Sequence, residues 1–291
     1  MRNILFHLLA LPFYIIILLP FPLFYLLSDI FYFIGYYIIG YRKKIIYQNL
    51  QNAFPKKSHQ ELITIQKKYY SFMVDLFMET FKLLIMSSKS IQLRFKFTNA
   101  EILQQFTSSK QSIIFVLGHY GNWELCGQSF HLKQLFQQDV LYHPLSNSFF
   151  EWLTYKLRSR FGVGLIPMHL SIKEMIRRKD LLTTTAFLAD QTPSNIESCH
   201  WMQFLGQDTP VFLGTEKIAK KLGLPVVFVH INRIKRGYYE SHFSIITTHP
   251  KEEIDNWITQ QHTQMLEKDI VAKPELWLWS HRRWKHLKPI L

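Results

Sequence analysis

Cysteine is scarce in this sequence, which has only Cys126 and Cys199 in 291 residues. Two thiols cannot build the disulfide framework of a small secreted domain, so a reducing compartment such as the cytosolic side of a membrane fits the chain. The sequence also lacks internal repeats, low-complexity segments and an inter-domain linker. These absences leave one large domain, with or without a membrane anchor, as the predicted organisation.

Acidic residues are also few. Asp and Glu total 21 against 34 Lys and Arg, which gives a net charge of +13. Such an excess attracts polyanions, whether nucleic acid, anionic lipid headgroups or an acidic carrier protein. Aromatic residues make up 15% of the chain, and aromatic and basic residues together favour a membrane surface over a nucleic-acid duplex. No recognised nucleic-acid-binding motif occurs.

Charge is absent altogether from Asn3 to Ser28. This run exceeds the roughly 20 apolar residues that cross a bilayer core. Its prolines would kink a helix, which a membrane helix tolerates: Pro12, Pro20 and Pro22. The tyrosine-rich stretch Ile30–Tyr41 is too short to span and is typical of the membrane interface. We predict a retained anchor, with a re-entrant or surface-lying hairpin as the alternative.

The amino terminus also lacks a small-x-small cleavage site before a polar mature start, which argues against a cleaved signal peptide. Basic residues then indicate the orientation, because cytoplasmic segments are enriched in Lys and Arg. Arg2 stands alone before the span, and a basic group follows it: Arg42, Lys43, Lys44, Lys56, Lys57, Lys67 and Lys68. The amino terminus is therefore expected outside, with the rest of the chain in the cytoplasm.

The pattern after the anchor predicts one α/β domain with a mixed sheet flanked by helices, so that residues 1–41 form the anchor and interfacial segment and residues 42–291 the domain. Amphipathic helices are expected up to Pro55 and over 59–86. Strands are expected over 91–97, 112–117 and 181–190, with a hairpin from 225 to 248 around the turn at 235–237. Further helices are expected over 123–136, 148–160, 215–222 and 251–271.

The stretch "SIIFVLGHYGNWELCGQSF" places His119 directly after an apolar strand and Glu124 five residues later. Open α/β sheets bind ligands at the carboxyl ends of their strands. Asn122 is a good helix N-cap, so Glu124 falls in the first turn of a helix and could fold back onto one imidazole nitrogen. A carboxylate there fixes the tautomer and makes the other nitrogen a better base. With no Ser or Cys nucleophile between them, the pair suits direct group transfer.

Other interpretations of this motif stay open. A single histidine in a loop is often only a hydrogen-bonded surface group. His119 and Glu124 could share a metal ion, but residues five apart do not share a helix face and no third ligand is evident, so no metal is expected. Cys126 is interpreted as a small packed residue.

The motif "GHYGNWE" resembles that of the late acyltransferases of lipid A biosynthesis, the lauroyl and myristoyl transferases of the wider glycerolipid acyltransferase superfamily. Further segments are similar in the same order: "RKKIIYQNLQNAFP", "LRSRFG", "ADQTP", "FLGTEKIAKKLGLPVVFV" and "PELWLWSHRRWK". The resemblance covers essentially the whole chain. One departure is Asp190-Gln191-Thr192, where related enzymes often carry Asp-His-Asp.

The resemblance implies transfer of an acyl group from acyl carrier protein, or from coenzyme A, to the hydroxyl of a hydroxyacyl chain on a lipid A precursor. It also implies the Gram-negative inner membrane, with the catalytic domain on the cytoplasmic face and no bound cofactor. His119 would be the general base and Glu124 its orienting acid. The alternatives are acylation of a lysophospholipid or an ornithine lipid, and a basic membrane-attached carrier of lipid or nucleic acid without chemistry.

Four more residues are candidates for substrate binding. Arg158 and Arg160 could hold phosphate, because Arg binds phosphate through two points, or they could line a solvated helix face. Asp190 could contact the sugar or form a structural turn, and Glu216 could serve the site or merely favour the start of a helix. The carboxy-terminal group could grip headgroups or pack in the core: Trp277, Trp279, His281, Arg282, Arg283, Trp284 and Lys285. The aromatic stretch 148–152 could line an acyl pocket.

Overall fold

The computed structural model describes residues 6–7, 9–193 and 195–288. Arg2, predicted to precede the membrane span, lies outside the described residues. Nine strands follow in chain order: β1 (Phe95–Phe97), β2 (Ile113–Leu117), β3 (Gln137–Tyr142), β4 (Gly164–Pro167), β5 (Thr183–Leu188), β6 (His200–Phe204), β7 (Gln207–Val211), β8 (Val226–Lys235) and β9 (Tyr238–Thr247).

Eleven α-helices are described: α1 (Leu11–Leu18), α2 (Phe21–Phe33), α3 (Lys43–Ala53), α4 (His59–Lys82), α5 (Ser88–Arg94), α6 (Gln104–Ser108), α7 (Trp123–His131), α8 (Ser148–Arg158), α9 (Ser171–Arg177), α10 (Gly214–Leu222) and α11 (Trp257–Ala272). A π-helix, Ile34–Ile39, continues α2, and short 3₁₀ turns span Ala100–Leu103, Met168–Leu170 and Pro274–Leu276.

Seven strands form one mixed sheet in the order β1-β9-β8-β2-β5-β3-β4. Strands β8, β2, β5, β3 and β4 run parallel, and β9 pairs antiparallel with β8. Helices α5 and α7 pack on one face, and α10 and α11 pack on the other. The central strand β2 has both faces covered, which explains its uninterrupted apolar sequence, Ile113 to Leu117.

Most of the expected elements are present, with corrections. The strand expected over 91–97 is mainly a helix, because Ser87 caps α5 through the Ser90 amide and leaves only the three residues of β1. Strand β3 was missed because it opens with "QQD", and the short β4 and the β6–β7 hairpin were missed as well. The aromatic residues of 148–152 do not line the cavity described below. Instead Phe149 and Trp152 pack against Phe6.

Among the described residues, the predicted span from Asn3 to Ser28 is interrupted and is not one continuous helix. Helix α1 ends at Leu18, and α2 begins after Pro20, which has no backbone N–H to continue the first helix. Lys82 closes the break by donating to the carbonyls of Ile17 and Leu19, both at 2.7 Å. Among the described residues, the helix that is long and apolar enough to cross a membrane is Phe21–Ile39.

A buried carboxylate of α4, Asp75, holds α2 against the domain. Asp75 accepts from Ser28 of α2 and from Arg233 and Arg236 of the β8–β9 hairpin, each at 2.7 Å. Arg236 also binds Asp29 of α2 at 2.7 Å. One face of the amino-terminal helix is therefore fixed to the sheet by polar contacts. The exposed apolar side chains of the two helices include Leu11, Ile15, Leu18, Leu23, Leu26 and Ile30.

Candidate active site

The sheet brings the ends of β2 and β5 to the same edge. These two strands pair in parallel, with Leu117 opposite Leu188. The Ala189 amide extends the ladder by donating to the Leu117 carbonyl at 3.0 Å. His119 and Asp190 each come two residues after these paired positions. Two side chains 71 residues apart therefore meet at the carboxyl edge of the sheet.

Asp190 holds His119 by two hydrogen bonds. The Nδ1 atom of His119 lies 2.6 Å from Asp190 Oδ1, and the His119 backbone N–H donates to Oδ2 at 2.9 Å. Trp277 Nε1 also donates to Oδ2 at 2.8 Å. Burial alone would raise the pKa of Asp190. The charge of His119 and these hydrogen bonds outweigh burial and lower that pKa to about 2. Asp190 is therefore an ionised acceptor that selects the Nδ1–H tautomer of the imidazole.

The other imidazole nitrogen faces neutral groups. Gln191 Nε2 lies 3.3 Å from His119 Nε2, and the Trp123 ring packs edge-on at 5.1 Å between ring centroids. With Nδ1–H directed at Asp190, Nε2 has a free lone pair and can accept a proton. The arrangement is that of a general base with its orienting carboxylate.

Glycines on both sides allow the close packing around His119. A Cβ on Gly118 would lie 2.6 Å from the side chain of Leu266 in α11, which would have to move. Gly121 has φ +63° and sits against Ile231, where a Cβ would approach within 2.4 Å. At Gly121 the backbone conformation itself favours glycine, so a side chain there would strain the histidine loop.

Glu124 does not contact His119 as the sequence predicted. Its carboxylate accepts from Arg158, with Nε at 3.2 and 3.0 Å from its two oxygens and a further bond from Nη2. Burial would raise the pKa of Glu124, but the charge and hydrogen bonds of Arg158 lower it. In the structure Asp190, from the neighbouring strand, occupies Nδ1 of His119, and Glu124 pairs with the guanidinium of Arg158 instead.

A cavity of about 300 Å³ adjoins these groups. His119, Glu124, Arg158 and Gln191 line it, together with an apolar wall that includes Phe97, Phe115, Phe130, Val140 and Phe243. This volume lies at the lower end of the range for sites that hold small organic ligands. The apolar wall beside a basic imidazole suits an aliphatic chain whose reactive end lies at His119.

The structure places two other candidates away from this cavity. Arg160 donates to the carbonyls of Leu83 and Met86 beyond the end of α4, the latter at 2.6 Å. Glu216 accepts from the Asn256 and Thr259 amides, at 2.6 and 3.0 Å, at the start of α11. Their polar groups satisfy backbone atoms at helix ends, and neither Arg160 nor Glu216 lines the cavity beside His119.

Three contributors to the site were missed from the sequence: Trp277, Gln191 and Trp123. All were visible as residues of quoted motifs, but no periodicity assigns them to His119. Trp277 reaches Asp190 from the carboxy-terminal segment, 87 residues further along the chain. Among the described residues, no group of three or more His, Cys, Asp or Glu side chains could hold a metal ion.

A buried His–Asp pair beside an apolar cavity at the carboxyl edge of an α/β sheet is an arrangement suited to acyl transfer without a covalent enzyme intermediate. Residues 1–286 match the family model described as "Bacterial lipid A biosynthesis acyltransferase". The chain belongs to this family and is an acyltransferase.

Curated relatives agree at low identity. The "Lipid A biosynthesis acyltransferase" of Haemophilus influenzae is 24% identical over 79% of this chain and 72% of its own length. The "Lipid A biosynthesis lauroyltransferase" of Escherichia coli is 22% identical over 94% and 88%, and its "Lipid A biosynthesis palmitoleoyltransferase" is 21% identical over 84% and 79%. The relatives differ in the acyl group that their names print, so chain length does not follow from the resemblance.

Proposed function

We propose that this protein is a membrane-anchored O-acyltransferase that moves a fatty acyl chain from acyl carrier protein, or from coenzyme A, to the hydroxyl of a hydroxyacyl chain on a lipid A precursor. The 2.6 Å contact between His119 and Asp190 beside the apolar cavity carries this proposal. It supplies a base, the acid that orients the base, and room for an acyl chain in one place.

In the proposed reaction the acceptor hydroxyl gives its proton to His119 Nε2 while its oxygen attacks the thioester carbonyl. The tetrahedral intermediate then breaks its carbon–sulfur bond, and an ester forms. The imidazolium returns the proton to the departing thiolate. Asp190 stays ionised throughout and stabilises the positive charge that His119 acquires. Gln191 lies 3.3 Å from Nε2, so the acceptor hydroxyl would take its place there.

The ion pair of Glu124 and Arg158 lines the same cavity and has a different proposed role. Glu124 fixes the Arg158 guanidinium through a two-point contact, which holds a positive charge in place at the edge of an apolar space. A fixed cation there suits the phosphate of a donor's phosphopantetheine arm or the charge that develops on the carbonyl oxygen. The proposal therefore assigns substrate binding to Arg158, which lines the cavity, and not to Arg160.

The amino-terminal helices support the proposed anchor. The exposed apolar side chains of α1 and α2, and a helix Phe21–Ile39 long enough to span, support insertion into a bilayer. Basic residues after Tyr41 favour a cytoplasmic catalytic domain in the inner membrane. A reporter fused after Leu291 should behave as cytoplasmic. A periplasmic reporter or a cleaved amino terminus would contradict this orientation.

The experiment for the reaction combines purified protein, acyl carrier protein thioester and a lipid A precursor with free hydroxyacyl groups, with product masses read by mass spectrometry. The expected product gains the mass of one fatty acid minus water, because the acyl group replaces the hydroxyl hydrogen. Parallel acceptors, a lysophospholipid and an ornithine lipid, separate the alternative reactions. The rival interpretation, a carrier of lipid or nucleic acid, requires binding without any product, and transfer to none of the three acceptors would support it.

A further inference from the structure

A second, much smaller cavity lies behind Asp190. It has a volume of about 10 Å³, and Asp190, His262 and Arg283 line it together with apolar side chains. Phe228 lines this cavity, whereas the next residue along β8, Val229, lines the cavity beside His119. Successive residues of a strand point to opposite faces. The small cavity therefore lies on the face of the sheet opposite to the proposed acyl site.

Arg283 is an unusual residue in this position, because its side chain is only 1% exposed. Its Nη2 donates to the Pro210 carbonyl at 2.8 Å. Among the residues that the structure describes, Nε and Nη1 of Arg283 and Nε2 of His262 have no hydrogen-bond partner. A guanidinium is hardly ever buried without an anion nearby, and Asp190 is the acidic residue that lines the same cavity.

The charge states of the basic side chains around Asp190 distinguish Arg283 from its neighbours. Burial lowers the pKa of His262 and that of His281 to about 4, so both rings are neutral at neutral pH. Burial lowers the pKa of Arg283 only to about 10, so the guanidinium stays charged. On the other face, Glu124 and Arg158 neutralise each other.

Asp190 then has two possible counter-ions, His119 and Arg283. An imidazolium cannot accept a proton, so a His119 that served as the charged partner of Asp190 could not act as the base. A permanent positive charge behind the carboxylate frees His119 from that role. Asp190 can then be ionised while His119 remains neutral.

We propose that Arg283 is the fixed counter-ion of Asp190 and so leaves the imidazole of His119 to act as the base. Arg283 is in this sense a positioning residue that acts through Asp190 without touching substrate. The small cavity has about the least volume that holds one water molecule, which could bridge the guanidinium, His262 and the carboxylate. This proposal rests on the proposed role of His119 as general base.

The pH–rate profile tests the proposal through variants that differ in charge. Arg283→Gln keeps a donor for the Pro210 carbonyl but removes the charge. We expect the acid limb of its profile to move to higher pH by about one unit, since Arg283 and Asp190 line the same buried cavity and a unit charge inside a protein has an effect of this size. Arg283→Lys keeps the charge and should leave the limb within about half a unit of wild type.

Two controls separate charge from packing. His262→Gln changes a neutral residue of the same cavity, and Arg282→Met removes the charge of the exposed neighbouring arginine. Neither should move the limb. A rate that falls equally at every pH in Arg283→Gln, with the limb unmoved, would show that Arg283 only packs and would overturn the proposal.

A measurement on the wild-type protein covers the case in which Arg283→Gln does not fold. Nitrogen-15 NMR of the histidine rings at pH 7 should show His119 as a neutral ring with its proton on Nδ1. A doubly protonated His119 ring would overturn the proposal. The proposed base role has its own test, because full activity of His119→Ala would remove that role whatever Arg283 does.

Discussion

Asp190 and Glu79 are both buried carboxylates that accept three hydrogen bonds, yet their pKa values move in opposite directions. Asp190 accepts two bonds from His119 and one from Trp277, and its pKa falls to about 2. Glu79 accepts from Tyr25, Asn122 and Tyr239, each at 2.8 Å, and burial together with the charge of Asp75 raises its pKa.

The difference lies in the donors. One donor to Asp190 is an imidazole that can carry a positive charge, whereas all three donors to Glu79 are neutral at neutral pH. Neutral donors do not compensate for the loss of hydration, so Glu79 favours the protonated form. Its contacts join α2 through Tyr25, the sheet through Tyr239 and the histidine loop through Asn122. Glu79 is thus suited to fastening elements together, and Asp190 is suited to chemistry.

The largest expected effect separates these two roles. His119→Ala and Asp190→Asn should each lower turnover by about 10²–10⁴-fold, because the first removes the base and the second its orienting charge. The double variant should be scarcely slower than either single one, since residues that act as a unit are not additive. Turnover of acyl carrier thioester, with thermal melting to verify folding, is the measurement. Near-normal turnover of Asp190→Asn would show that catalysis does not need the charge of Asp190, and that its difference from Glu79 has no functional role.

A smaller loss is expected from breaking the ion pair of Glu124 and Arg158. Glu124→Gln and Arg158→Met should each lower turnover by about 10–100-fold, because either leaves a charge without its partner beside the cavity. The pair's partial exposure, 30% for the Arg158 side chain, keeps the loss below that at His119. In a double-mutant cycle, Glu124 should couple strongly to Arg158. Stronger coupling of Glu124 to His119 would restore the interpretation made from the sequence.

How far the sequence could predict this site is clear from the same residues. His119 was identified because it follows an apolar strand, and Asp190 because it ends another. That the two meet depends on β2 and β5 being neighbours, and strand order in a sheet is not encoded in local periodicity. Glu124 was preferred because it is close in sequence. Arg283 looked like a headgroup ligand because nothing in "SHRRWK" indicates which arginine is buried.

The fold shows the same division between local and long-range information. Helices α3, α4 and α10 were predicted well because caps, spacing and a terminal glycine are local signals. Strand β3 was missed because its polar residues are satisfied by distant groups: Arg178 binds Asp139 at 2.7 Å, and Thr184 binds Gln138 at 2.7 Å. Such partners become evident only when the sheet is assembled.

Arg160 should affect stability more than catalysis. Arg160→Ala leaves the carbonyls of Leu83 and Met86 without their donor, so the free energy of unfolding should fall by about 1–3 kcal/mol. The specificity constant for acyl carrier thioester should change no more than in Lys68→Ala, an exposed control on α4. A loss of donor binding specific to Arg160→Ala would return this residue to the site.

For the wild-type protein, the specificity constant for acyl carrier thioester should fall as salt rises, because an acidic carrier is steered by the +13 charge.

The smallest expected effect on turnover belongs to Glu79→Gln, which imitates the protonated acid that the buried site favours. The amide can keep most of the three contacts, so turnover should stay within about threefold of wild type, in contrast to Asp190→Asn.

The stability of these variants should differ with pH, in a direction that follows from the pKa shift of each carboxyl group. A raised pKa means that the folded protein binds the Glu79 proton more tightly than the unfolded chain. The stabilisation is therefore present at low pH and is lost as pH rises from the ordinary value of 4.5 through the raised one. For Asp190 the sign is reversed, and its stabilisation is lost as pH falls from about 4 to about 2. Melting temperatures across pH should thus show Glu79→Gln gaining on wild type as pH rises, and Asp190→Asn gaining on wild type as pH falls. Parallel curves for Glu79→Gln and wild type would mean that Glu79 is held as an ion, and the contrast between the two carboxylates would then lose its electrostatic basis.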